Sequence, residues 1–141
     1  MNISEVVNNQ REFYFSGETK KIKFRLTALE KINRWIKSNE KLIAEALYND
    51  FRKSDFEAYA TEIGIVLDEL KYIRKNLKRW CKVKKVTTPL VHYKSASYIY
   101  PEPYGVILVM SPWNYPFMLT IAPMIGAIAS GNCCVIKPSA Y

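Results

Sequence analysis

Between Ser54 and Trp80 the apolar residues Phe56, Tyr59, Ile63, Val66, Leu70, Ile73, Leu77 and Trp80 recur at strictly alternating steps of three and four. Only an α-helix gathers such positions onto one face, so the spacing predicts one long helix carrying a continuous apolar seam. Ser54, followed three residues later by Glu57, reads as a capping box at its start. Asp55, Glu57 and Glu62 come early, while Arg74, Lys75, Lys78 and Arg79 come late. That order complements the helix dipole by about 0.3–1 kcal/mol per exposed charge. A second run, Ile22, Leu26, Leu29, Ile32 and Ile36, steps by 4, 3, 3 and 4 and predicts another amphipathic helix over 20–38, with the charges on its other faces. Two seams of this kind need each other, or further elements, as cover.

The rest of the composition limits function by exclusion. The net charge of +8 raises nucleic acid or an anionic membrane as partners, but the basic residues sit mainly on the solvated faces and at the dipole-matched end of these helices. Neither partner is therefore expected. No apolar run approaches the roughly 20 residues that span a bilayer, and the first residues lack the pattern of a secretory signal, so a cytoplasmic location is expected. Cys81, Cys133 and Cys134 make an odd set with no disulfide pattern. His92 has no neighbouring cysteine or acid at zinc spacing, so no metal is expected.

After Trp80 the pattern changes. Residues 83–103 carry Tyr, Val, Ile and Thr between prolines. Ser97 to Tyr100 suits a strand, 89–96 a turn or exposed edge, and the whole a ribbon open to pairing with another chain. Residues 105–110, Gly-Val-Ile-Leu-Val-Met, form the short apolar run of a strand buried on both faces. A tight turn follows at Ser111-Pro112-Trp113-Asn114-Tyr115-Pro116, then an apolar helix over 117–130 that Pro123 should bend or whose entry turn it should mark. Gly131 ends that helix, and Cys133 to Ile136 form a second buried strand with Lys137 just past it. The fold class is α/β: amino-terminal helices, an extended ribbon, and the first β-α-β unit of a Rossmann-like parallel sheet, an incomplete domain. The expected division is 1–82, 83–103 and 104–141. Two strands alone leave an open apolar edge.

Ligands of open parallel sheets bind outside the carboxyl ends of the strands, here 111–114 and 137–141. Asn114 can offer an amide N–H to a developing oxyanion, and Lys137 can donate to ribose hydroxyls or pair with phosphate. An asparagine there also serves as a turn residue and a lysine as a solvated cap, and the spacing does not choose between these roles.

Pro112-Trp113-Asn114-Tyr115-Pro116, then Gly126-Ala127-Ile128-Ala129-Ser130-Gly131-Asn132, then Val135-Ile136-Lys137-Pro138-Ser139, resemble the aldehyde dehydrogenase superfamily, in particular the branch acting on fatty and aromatic aldehydes. The resemblance implies oxidation of an aldehyde to a carboxylic acid with NAD or NADP through a cysteine thiohemiacetal. It implies that Asn114 is an oxyanion donor, that Lys137 holds the adenosine ribose, and that Ser111, Pro112 and Trp113 line the cofactor cleft. It also implies a homodimer paired through the 83–100 ribbon.

Two departures from the family pattern bear on this. Ala140 stands where the family often has a ribose-binding glutamate, which makes NADP at least as acceptable as NAD. The family's nucleophilic cysteine and general-base glutamate lie beyond the position matching Tyr141, so this stretch alone is expected to be inactive. Cys133 and Cys134, at the far end of a buried strand, do not replace the nucleophile. The rival reading is a shortened homologue acting as a protein-interaction or polyanion-binding module.

Overall fold

The computed structural model describes residues 2–140, so Tyr141 of the second strand end lies outside the described residues. Helices α1 (Ile3–Phe15), α2 (Ile22–Ser38) and α3 (Glu40–Phe51) come first. The expected long helix follows as α4 (Asp55–Ala58), a π-helical turn (Tyr59–Ile63) and α5 (Gly64–Trp80). The ribbon is an antiparallel pair, β1 (Lys84–Val86) and β2 (Ser97–Ile99). Then come β3 (Val106–Met110), α6 (Met118–Ser130) and β4 (Cys133–Lys137).

The predicted start of the long helix is present: Ser54 is the N-cap, and its side chain accepts from the Glu57 backbone N–H at 3.2 Å. Its interior differs from the prediction. A π turn holds one residue more than the α ladder allows, which rotates everything before it by about a quarter turn. Ala58 and Glu62 thereby enter the core, whereas Phe56 is 83% exposed and Tyr59 half exposed. Gly64 makes the turn possible, because a Cβ there would lie 2.9 Å from the Tyr59 carbonyl oxygen. Past that point the seam holds: Ile63, Val66, Leu70, Ile73 and Leu77 are buried, and Trp80 at the end is partly exposed.

These residues join Leu29 and Ile36 of α2, Ile43 and Leu47 of α3, and Ile125 and Ala129 of α6 in one core. Each large aliphatic buried there contributes about 1.5–3 kcal/mol. The charges of α2 do not all lie on its outer faces. Arg25 is buried and donates to the carbonyls of Thr19 (2.6 Å), Lys20 (2.9 Å) and Ala129 (3.3 Å).

Strands β3 and β4 pair in parallel from Val106 opposite Cys133 to Met110 opposite Lys137. Helix α6 packs against both, as does α1, and the Tyr14 hydroxyl of α1 donates to the Pro103 carbonyl at 2.9 Å. Pro123 lies within α6, where it withholds one backbone donor, and Gly131 closes the helix at φ +91°. The strands are not buried on both faces as their apolar run predicts. Leu108 is 59% and Met110 70% exposed in a sheet that has two strands among the described residues.

Candidate functional site

At the carboxyl ends of β3 and β4 the backbone N–H of Ser111 donates to the Lys137 carbonyl at 3.2 Å, so the two strand ends lie side by side. Ser111 is buried, and its hydroxyl is 2.7 Å from Thr120 Oγ1, which also donates to the Pro116 carbonyl. This pair of bonds ties the end of β3 to the first turn of α6. Pro112, Trp113 and Asn114 continue into an exposed turn, and the Trp113 ring stacks on Phe51 of α3 with centroids 6.4 Å apart and 21° between planes.

The Asn114 side-chain amide makes no hydrogen bond among the described residues; only its backbone carbonyl is engaged, by Lys53 at 3.4 Å. Lys137 is exposed and forms no salt bridge among the described residues. An amide N–H and a cation without a hydrogen-bond or ion-pair partner among the described residues therefore stand at the open end of the sheet, with donors for an anionic oxygen and for hydroxyl or phosphate groups. Asn114 and Lys137 do not bond to each other.

Beneath the turn lies an ion pair that the sequence pattern does not announce. Lys53 Nζ is 2.5 Å from Glu62 Oε1, with Lys53 7% exposed and Glu62 fully buried. Glu62 Oε2 accepts from the backbone N–H groups of Phe117 (2.9 Å) and Met118 (3.2 Å), where α6 begins. The Lys53 ammonium also lies 4.2 Å from the centroid of the Tyr115 ring. Glu62 stands four and eight residues from Val66 and Leu70, at the margin of the seam, and the π turn carries it inside. Lys53, in a connection between helices, carries no such mark.

The other reactive groups lie elsewhere. Cys133 is buried at the amino end of β4, and burial raises its thiol above the ordinary 9.0; Cys134 is raised by burial and then by Cys133. Cys81 accepts a hydrogen bond from Arg25 Nη1 at 3.3 Å. His92 sits in a short 3-10 turn of the ribbon, exposed. No three His, Cys, Asp or Glu side chains come together as a metal site among the described residues.

Parallel strands joined through a helix, with polar groups collected at their carboxyl ends, place the chain among incomplete Rossmann-like α/β folds. The chain belongs to the aldehyde dehydrogenase family, whose pattern matches residues 2–141. It is 51% identical over 137 residues to the 4,4'-diaponeurosporen-aldehyde dehydrogenase of Staphylococcus aureus, covering 97% of this chain and 30% of that protein. It is 44% identical, again over 137 residues, to the dimeric NADP-preferring aldehyde dehydrogenase of Canis lupus familiaris, with the same coverage. The solved structure of a substrate-bound state of Staphylococcus aureus AldH superposes with a TM-score of 0.94 at 51% identity, over 99% of this chain and 31% of that one. A succinic semialdehyde dehydrogenase from Streptococcus pyogenes in complex with NADP+ shares the fold, with a TM-score of 0.83 at 20% identity, over 96% of this chain and 29% of that one. The chain thus spans about 30% of the length of the curated relatives it matches.

Proposed function

We propose that these residues form the oxyanion-donating and ribose-holding part of an NAD(P)-dependent oxidoreductase that converts an aldehyde to a carboxylic acid. The observation that carries this reading is the uncommitted Asn114 amide, held at the end of β3 on a turn whose backbone is fixed from below. The supporting facts are the family membership and the NADP-bound or NADP-preferring relatives.

Asn114 offers its side-chain N–H to the oxygen of the aldehyde as that oxygen gains negative charge, a donation worth on the order of 10²–10³ in rate where it has been removed from other oxyanion sites. Lys137, cationic and without an ion-pair partner among the described residues, suits the cofactor's ribose hydroxyls or a 2′-phosphate. Ser111, Pro112 and Trp113 form the wall between the strand ends and α3, with Trp113 braced on Phe51. The nicotinamide cofactor, when bound, supplies the hydride acceptor. With Ala140 following, no carboxylate at that position opposes a 2′-phosphate, so NADP is accepted at least as well as NAD.

The 1–82, 83–103 and 104–141 division goes with this reading, as do a cytoplasmic location and a homodimer paired through the 83–100 ribbon. No helix among the described residues is long and apolar enough to cross a membrane. Ribbon side chains Leu90, Val91, Tyr93 and Tyr98 are exposed, as a pairing surface requires. Titration of the folded chain with NAD and NADP by calorimetry, beside Lys137→Ala, tests the cofactor half. Saturable binding lost in the variant is expected. Equal binding by the variant sinks the assignment of Lys137, and no binding by a folded chain favours the rival interaction module.

A further inference from the structure

From the buried contacts under the Trp113–Tyr115 turn we infer that Lys53 and Glu62 are positioning residues for Asn114, acting through its backbone carbonyl and the backbone that follows it. The inference rests on the oxyanion role proposed for Asn114, and its structural half can be tested without that role.

Three independent features converge on the pair. The first is the buried carboxylate. Glu62 has no exposed surface, and each of its oxygens has a designated partner: Oε1 faces Lys53 Nζ at 2.5 Å, and Oε2 takes the N–H groups of Phe117 and Met118. Those N–H groups open α6, so the carboxylate both satisfies otherwise unpaired donors and lies at the positive end of the helix dipole. The second is the ammonium. Lys53 Nζ reaches past Glu62 to the Asn114 carbonyl at 3.4 Å and lies over the Tyr115 ring at 4.2 Å. The third is how both groups are delivered. Glu62 is turned inward by the π turn. Lys53 follows Arg52, a non-glycine residue at φ +57° that caps α3 and turns the chain towards the interior. Left-handed non-glycine residues and π turns are uncommon, and both are enriched where a side chain must be placed for function.

The pair therefore holds Asn114 at its carbonyl and through the segment that follows it. Lys53 donates to the Asn114 carbonyl and lies over the Tyr115 ring, while Glu62 accepts from the amides two and three residues past Tyr115. The Asn114 side chain makes no hydrogen bond among the described residues, in a turn whose backbone is held beneath it, which is the preorganisation an oxyanion donor needs. A structural ion pair with no bearing on the turn would not require the carbonyl of Asn114 or the amides of Phe117 and Met118.

The test compares wild type, Glu62→Gln and the charge-neutral double variant Lys53→Met/Glu62→Gln. The double variant is included because Glu62→Gln alone leaves a buried ammonium unpaired and can unfold the chain. In wild type, hydrogen exchange at the Phe117 and Met118 amides should be slow. Exchange there as fast as in the exposed 93–96 loop overturns the inference with no variant needed. In a folded variant, checked by unchanged exchange at Leu70 and Ile73, protection at 117 and 118 should fall on the order of tenfold or more. The Asn114 side-chain amide NMR signals should shift or broaden; unchanged protection and signals overturn the inference. In the NAD(P)-supplied dehydrogenase carrying this segment, kcat should fall on the order of ten- to a hundredfold with KM for the cofactor unchanged. A raised cofactor KM with kcat intact overturns the positioning role. Should wild type oxidise no aldehyde, the oxyanion reading fails by itself, and the exchange data still decide whether the pair fixes the turn.

Discussion

The two ends of the β3–β4 pair each carry an asparagine, and the two are used in opposite ways. At the amino end, Asn132 is buried: its Oδ1 accepts from the Gly105 N–H at 2.8 Å and its Nδ2 donates to the Ala127 carbonyl at 3.3 Å. Beside it Gly131 faces Arg25 so closely that a Cβ would lie 2.5 Å from Nη2. At the carboxyl end, Asn114 is exposed and its amide bonds to nothing among the described residues. At the closed end the Asn132 amide is spent on tying α6 to the start of β3. The open end fixes its backbone from beneath and keeps its side chains available. The same residue type is thus built into the packing at one end and exposed at the other, and burial makes the difference.

Substitutions at the closed end should be costly. Gly131→Ala forces a side chain into left-handed backbone and against the buried guanidinium, and should lower stability by about 2–4 kcal/mol in denaturant unfolding. A loss under about 1 kcal/mol would mean that Arg25 can move aside and the end is not closed. Asn132→Ala leaves the Gly105 N–H unpaired in the interior and should cost about 1–3 kcal/mol. Its counterpart Asn114→Ala should change stability by no more than about 0.5 kcal/mol. Equal losses at the two asparagines would erase the contrast.

The cysteines sharpen it at smaller scale. Burial favours the neutral thiol of Cys133, so its folded value lies above the unfolded 9.0. A raised thiol stabilises the fold below that value, and the contribution is lost as pH rises through the folded one. Cys133 should therefore resist alkylation in the folded chain at neutral pH, and denaturant stability should decline as pH is taken above about 9. Rapid labelling of Cys133 at pH 7 would show that the amino end opens. The smallest effect belongs to the exposed Lys20–Glu102 pair, 2.8 Å apart, which raises the lysine above its ordinary 10.5 through the hydrogen bond and charge of Glu102. Glu102→Gln should leave the melting temperature within measurement scatter, since solvent screens a pair this exposed.

Much of this was legible in the chain itself. The spacing of Ile63, Val66, Leu70, Ile73 and Leu77 marks the inner face of the long helical stretch from Asp55 to Trp80, Ser54 its entry, and Gly131 the end of α6, because helix period and capping chemistry are local. The motif residues at 111–114 and 137 do fall at adjacent strand ends, as a strand-helix-strand pattern requires. What the pattern misplaced was charge and register. Phe56 and Tyr59 fit the seam arithmetically, yet one extra residue in a π turn exchanges them for Ala58 and Glu62.

Arg25 reads as a solvated charge, Glu62 as an acid matched to the helix dipole, and Lys53 carries no mark, because a one-dimensional pattern cannot show a partner distant in the chain. Arg25 reaches Ala129, 104 residues on. Lys53 and Glu62 reach Asn114 and Phe117, 61 and 55 residues on. A buried charge is tolerated only where such partners converge. The sequence by itself determined the helices over 20–38, 54–80 and 117–130, the strand-helix-strand unit and the family. Tertiary structure alone decided which charged groups lie inside, and so what holds the turn that carries Asn114, because only the packed fold brings those groups within hydrogen-bond reach.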